Sequence, residues 1–314
     1  GDAQPVVQVE CLVKIFRDFW RRPKVRAVDG LDLQVMPGEI FGLLGPNGSG
    51  KSTTIKMLLG LLHPTSGTVR VLGRSPRDVE AKREIGYLPE ESYLYKYLTP
   101  GETLDFYGRL FSLDARTRKE RVGQLLEMVG LTHAVNRRVG EFSKGMARRV
   151  GLAQALINDP QFIILDEPTS GLDPVACRQV KDLLLALARR GKTILLSSHL
   201  LADVEDVCDR VAVLYNGKVR AHGSISQLLA KPDRVRLTMP ALPPGEMQNL
   251  LKAVREIIRG EPELDHPSMN LEQFFLQVVD EAHKSATHES GATQGNQLAG
   301  FLTAQPPGGD REKP

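Results

Sequence analysis

The sequence is short of several things, and each shortage excludes a class. Only three cysteines occur, Cys11, Cys177 and Cys208, far apart and with no C-x-x-C pair. Neither a disulfide scaffold nor a thiolate zinc site is expected, and the three read as buried free thiols of a reducing compartment. No apolar run approaches the roughly 18 residues that a membrane-spanning helix needs. The first residues carry no charged-then-apolar leader pattern. Neither sign of charge dominates: 41 Lys and Arg stand against 38 Asp and Glu, a net of +3. That balance is too mild to argue for a nucleic-acid partner, and none is expected. Aromatic residues make up 5%, and no internal repeat is visible.

What is present is ordinary globular material. The chain has 314 residues, 41% hydrophobic and 25% charged. That suffices for a sizeable core without staples, and the length suits about two domains.

Residues 6–13 and 25–35 read as strands, the second with the alternation of a half-buried one. Pro37-Gly38 is a turn, 39–44 a short buried strand, 52–62 a helix and 65–73 a turn and strand. From about 98 to 158 the pattern is helical. Thr99-Pro100-Gly101-Glu102 is a capping box with proline in the first turn. Asp114 caps a second helix stopped by Gly130, and 146–157 forms a third. Strand character returns at 161–165. A helix capped by Asp173-Pro174 follows, then a strand at 193–197, a helix at 200–207 and a strand at 210–214. Asn216-Gly217 is a hairpin signal into 218–221. An α/β unit is thus interrupted by a helical insertion. Beyond about 224 the signal thins to a strand at 234–238 and helices at 244–258 and 270–280. The stretch 281–314 has too little apolar content to offset ordering entropy and is expected to be disordered.

Gly45-Pro46-Asn47-Gly48-Ser49-Gly50-Lys51-Ser52-Thr53 fits G-x-x-x-x-G-K-[ST]. Glycines let successive backbone N–H groups converge on one point, and a following helix aims the positive end of its dipole there. Lys51 is expected to reach the β/γ-phosphates of a nucleotide and Ser52 to place its hydroxyl on Mg²⁺. The apolar strand Phe162-Ile163-Ile164-Leu165 ends in Asp166-Glu167. In a phosphate-loop protein the first carboxylate would hold Mg²⁺ through its water shell and the second would orient the attacking water.

Further pieces narrow the class. Phe142-Ser143-Lys144-Gly145-Met146 opens a helix just before the acidic strand, Ser170-Gly171-Leu172-Asp173 follows that strand, and His199 follows the next. With the phosphate loop, this set resembles the ATP-binding subunit of ABC transporters, and is most similar to the branch that drives multidrug, antibiotic and lipid export. The resemblance covers about residues 7 to 225. It implies an α/β P-loop NTPase fold, a RecA-like core with an antiparallel β subdomain. It also implies an ATPase domain over 1–225 with a helical subdomain at about 91–158, a C-terminal extension at 226–280 and a tail at 281–314.

The resemblance also implies roles. Ser143 and Gly145 would contact the γ-phosphate held by a second ATPase subunit, either another copy or a sibling, so that ATP is shared head to tail. Asp173 would sit at the seam, and His199 would hydrogen-bond the γ-phosphate and hold Glu167. Glu90 stands where the family carries a glutamine that faces Mg²⁺. Ser-Lys-Gly-Met stands where Ser-Gly-Gly-Gln is commoner. An aromatic ring from the loop 16–26 would stack on adenine, and Phe16 is favoured over Phe19 and Trp20. Power would pass to a separate transmembrane permease subunit at the cytoplasmic face of the membrane. The cluster Tyr87, Tyr93, Tyr95 and Tyr97 is expected to receive that subunit, with ordinary packing of the insertion as the alternative. The basic run Arg21-Arg22-Pro23-Lys24 with Arg26 is expected to be a solvated loop tip, with contact to anionic headgroups as the alternative. A soluble ABC-type ATPase without a membrane partner is the alternative. A P-loop kinase or GTPase lacks the Ser143 motif and would need a guanine-reading motif that the sequence does not contain.

Overall fold

Alternating side chains build the first layer. Strands β1 (Val7–Arg17) and β2 (Pro23–Val35) pair antiparallel and bury Val7, Val9, Leu12, Leu31, Leu33 and Val35 on one face. Strand β3 (Ile40–Leu44) is apolar throughout, as a strand covered on both faces should be, and leads through the phosphate loop into helix α1 (Lys51–Leu58). Strand β4 (Ser66–Val71) joins the other side of β1. A short helix α2 (Val79–Arg83) and strand β5 (Ile85–Leu88) follow. Helices α3 (Pro100–Leu110), α4 (Ala115–Met128) and α5 (Lys144–Leu156) form the insertion. Then come strand β6 (Phe162–Asp166), helix α6 (Pro174–Arg189), strand β7 (Thr193–Ser198) and helix α7 (Leu201–Val207). Strands β8 (Arg210–Tyr215) and β9 (Lys218–Ser224) and helix α8 (Ile225–Leu229) complete this run.

The structure, a computed structural model, describes residues 4–20, 22–91, 93–230, 239–240, 242–258, 278 and 298–302. Two sheets are present. One is antiparallel, in the order β2-β1-β4; the other runs β5-β6-β7-β3-β8-β9 and is parallel except for β9. All five parallel strands end on one side, and the loops leaving β3, β6 and β7 carry the motifs singled out above. That is where open α/β sheets place their ligands.

The caps fall where the sequence puts them. Thr99 and Glu102 form the capping box of α3, Asp114 accepts from the first turn of α4, and Asp173 from that of α6. Two elements differ from expectation. Helix α2 and strand β5 carry no sequence signal of their own, being five and four residues long. Strand β5 is the edge strand beside β6, and it delivers Glu90 to the cleft.

The chain divides into two units, 1–228 with 292–314, and 229–291. In the second, helix α9 (Pro244–Ile258) spaces Leu250, Leu251, Val254 and Ile258 along one stripe. The expected strand at 234–238, and the helix at 270–280 apart from Val278, lie outside the described residues. So does most of 281–314, but 298–302 is packed rather than disordered. Ala299 and Leu302 are buried in the cluster that also holds Leu125, Leu126 and Leu187. Arg190 Nη1 donates to Ala299 O at 3.0 Å and to Leu302 O at 2.9 Å. The Arg121 guanidinium lies 4.4 Å from the Phe301 ring centre. Local composition hid this: four apolar residues in a polar tail find a core and two cations far away in sequence. A second correction concerns the thiols: Cys208 is buried, but Cys11 is exposed.

Candidate functional site

Helix α1 starts at Lys51, immediately after Gly50, which is left-handed at φ 108°. A Cβ there would meet Ala27 O at 2.5 Å, so the loop needs glycine at this position. No side chain caps this helix and no acidic residue lies in its first turn, so its positive end is free for an anion. The Ser49 hydroxyl is buried with no hydrogen-bond partner among the described residues. Such an orphan suits a ligand oxygen.

Lys51 Nζ donates to Gly45 O at 2.7 Å and to Pro46 O at 3.3 Å, and lies 3.6 Å from Glu167 Oε1. The other carboxylate oxygen, Oε2, lies 2.8 Å from His199 Nδ1. The Glu167 carboxylate is therefore held from two sides, with its side chain 6% exposed and that of His199 42%. Glu167 is also one of the few non-glycine residues at positive φ, 52°. Such backbone costs about 1–3 kcal/mol and persists where its surroundings over-determine it. Here Glu167 N donates to Ser197 O at 3.2 Å and Ser197 Oγ at 3.1 Å. Ser197 Oγ in turn donates to Asp166 Oδ1.

Lys51 and Glu167 face a cleft of about 800 Å³ lined by Phe16, 24–27, 47–53, Glu90, Glu167 and Asn216; Gly45, Pro46, Asp166 and His199 lie behind that lining. Of the three aromatics considered for a base, Phe16 is the one that lines it; Phe19 and Trp20 point to solvent, 91% and 71% exposed. Lys14 Nζ lies 5.3 Å from the Phe16 ring centre. Ser52 and Glu90 line the same cleft, and Asp166 is buried one residue before Glu167. Their donors are all oxygen, the set that a hard divalent cation takes. Among the described residues no cluster of three or more His, Cys, Asp or Glu offers a complete metal cage. The all-oxygen donors of Ser52, Glu90 and Asp166 suit Mg²⁺, which keeps waters and takes phosphate oxygens.

Ser143, Gly145 and Asp173 are not brought to this cleft. Ser143 caps α5, its Oγ accepting from Met146 N at 3.2 Å, and Asp173 caps α6 through Ala176 N at 2.9 Å. Leu172 packs beside Gly145 and Lys144 beside Gly171, so these two segments form a second surface of their own. Tyr93, Tyr95 and Tyr97 are exposed, with Tyr95 edge-on to Phe106, whereas burial pushes the Tyr87 hydroxyl up to about 12. Arg22 and Lys24 are exposed as expected; Arg21 lies outside the described residues.

Sequence reasoning missed Asn216, Ser197 and Arg148. The signal for Arg148 was a charge at i, i+4 and i+7 register with Leu152 and Ala155, on the buried face of α5.

Comparison with known proteins agrees with this geometry. Residues 28–170 match the family model described as ABC transporter. An uncharacterized ABC transporter ATP-binding protein of Synechocystis sp. is 44% identical over 73% of this chain; the chain spans 65% of that relative's length. The ABC transporter ATP-binding protein YxlF of Bacillus subtilis is 43% identical, over 71% of this chain and 72% of its own. Nod factor export ATP-binding protein I of Rhizobium sp. is 42% identical, over 74% and 76%. Among solved structures, an ATP-binding subunit of an ABC transporter is 32% identical with a TM-score of 0.64, covering 71% of this chain and 91% of that one. A dimeric ATP-binding cassette in a post-hydrolysis state, bound to ADP and Pi, is 26% identical with a TM-score of 0.65, covering 70% and 98%. The chain belongs to the ATP-binding proteins of ABC transporters, a family of P-loop ATPases.

Proposed function

We propose that the cleft binds ATP with Mg²⁺, that Glu167 is the general base of its hydrolysis, and that the cycle drives a separate membrane-spanning subunit of an exporter. The observation that carries this reading is the buried Glu167 carboxylate held between Lys51 Nζ and His199 Nδ1. A base so placed is fixed in direction before substrate arrives.

The backbone N–H groups of Gly45, Pro46-Asn47, Gly48, Ser49, Gly50, Ser52 and Thr53, proline's own excepted, would cradle the phosphates, with Lys51 supplying the positive charge. Ser52, Asp166 and Glu90 would hold Mg²⁺, which supplies charge neutralisation on the phosphate oxygens. Phe16 offers its ring to adenine. His199 keeps the Glu167 carboxylate in place and presents its ring to the γ-phosphate.

Ser143, Gly145 and Asp173 lie outside their own cleft, which supports a head-to-tail pair in which each copy completes the site of the other. The second copy is another of this chain or a sibling. A structural neighbour described as dimeric supports pairing as such. The exposed Tyr93, Tyr95 and Tyr97 would receive the membrane subunit, placing the protein at the cytoplasmic face of the membrane. Export is supported by the relative named for Nod factor export.

The test is Lys51→Ala, with MgATP binding and phosphate release measured on the full chain beside the parent. Loss of a charge on the transferring phosphoryl lowers turnover by on the order of 10²–10³. A variant that releases phosphate like its parent, or a parent that prefers GTP, overturns the reading.

A further inference from the structure

Arg148 is a buried cation that the reaction outlined above does not use. It lies on α5, five residues after Ser143, and is 4% exposed. Its guanidinium meets five backbone carbonyls. At the end of β5 Nη1 donates to Pro89 O and to Glu90 O, the latter at 2.8 Å, and the other contacts lie at the end of the neighbouring strand β6. There Nη2 donates to Asp166 O and to Glu167 O, the latter at 2.7 Å, and Nε to Pro168 O at 3.4 Å. No carboxylate forms an ion pair with it among the described residues.

A buried charge without a counter-ion is costly, and a well-packed apolar side chain would hold a core as well or better. What an apolar side chain lacks is a planar fork of five donors. Three of the accepting carbonyls are consecutive and bracket Glu167, the residue at φ 52°. A turn that returns three carbonyls to one guanidinium keeps its backbone in that unfavourable state. The same turn sets where the Glu167 carboxylate points. Burial lowers the pKa of Arg148, and the nearby charges of Asp166, Glu90 and Glu167 oppose that shift only in part.

We propose that Arg148 is a positioning residue, which fixes the Glu167 carboxylate through the strained 166–168 turn and locks that turn to the Glu90 backbone at the end of the neighbouring strand β5. It is carried on the helix whose first turn presents Ser143. A displacement of α5 is therefore passed to the ends of β5 and β6 at once. This assignment rests on Glu167 being the base.

The experiment compares the parent, Arg148→Lys, Arg148→Met and Glu167→Gln as full chains. It reads MgATP affinity, kcat, KM and the melting curve. Arg148→Lys keeps a charge but loses the fork, and Arg148→Met keeps bulk but loses both. In both, MgATP affinity stays within about threefold, because the phosphate loop is untouched, while kcat falls about 10- to 100-fold, the cost of a base misplaced by an ångström. In a further variant, Arg148→Ala, guanidinium at millimolar concentration restores part of kcat, and in Glu167→Gln it restores none. If Arg148→Met does not fold, Arg148→Lys alone decides. A folded Arg148→Lys or Arg148→Met with parental kcat overturns the assignment, as does a loss of affinity that equals the loss of kcat. Parental turnover in Glu167→Gln overturns instead the reading beneath it, so the two failures are distinguishable.

Discussion

Two regions of this molecule join distant chain segments through a cation, and they do so for opposite ends. At the carboxyl ends of β3 and β6, Lys51 reaches the Glu167 carboxylate and Arg148 binds the carbonyls of the loop that bears it. There the backbone is held in unfavourable states, Glu167 at φ 52° among them, and a hydroxyl, that of Ser49, is left without a partner. At the other region, Arg190 binds the carbonyls of Ala299 and Leu302. There no described residue is strained, and the gain comes from Leu302 and Ala299 leaving water beside Leu125 and Leu187. The first region carries strain for function. The second, which ties residues 298–302 to α4 and to the end of α6, contributes stability. Damage to one should leave the other readable.

The largest expected effect that separates them is Leu302→Ala. Removing a fully buried leucine side chain costs about 2–5 kcal/mol. A urea titration of the full chain should show that loss, with MgATP affinity unchanged. Lost affinity without lost stability would break the comparison. Next comes Phe16→Ala, which removes a ring that lines the cleft and is 40% exposed. An aromatic pair is worth about 0.5–1.5 kcal/mol beyond its area, so MgATP binding should weaken about two- to tenfold and stability should hold. Phe19→Ala should change neither, since that ring does not line the cleft. The smallest effect concerns the thiols. Burial raises the Cys208 thiol far above its ordinary value, so its thiolate is scarce, whereas Cys11 is exposed. Iodoacetamide should label Cys11 in the native chain and Cys208 only after unfolding, read as mass shifts. Equal labelling of both would contradict the packing around β3, where Cys208 Sγ would lie 3.0 Å from a Cβ at Gly42.

The same contrast explains what the sequence could tell. The phosphate loop and the Asp166-Glu167 strand end are legible because backbone geometry and charge demand those residue types at fixed spacing. Three helix caps are legible for the same local reason: Thr99, Asp114 and Asp173 bond within three residues of themselves. Strand β5 is not, because four residues give no periodicity and Gly86 reads as a breaker. Its glycine is needed for a non-local reason: a Cβ would meet Ala155 O of α5 at 2.1 Å. Arg148 is masked by Arg149 beside it, and only the register of α5 tells the buried charge from its neighbour. The packing of residues 298–302 is least legible of all. Arg190 and Leu302 stand 112 positions apart, and nothing in five residues of common composition names their partner.

The account turns on Glu167, and single-turnover phosphate release by Glu167→Gln under saturating MgATP tests it most directly. The amide keeps the shape and loses the base. The account predicts unaltered MgATP affinity with hydrolysis slowed by about 10²–10⁴. Phosphate released at the parental rate would contradict it.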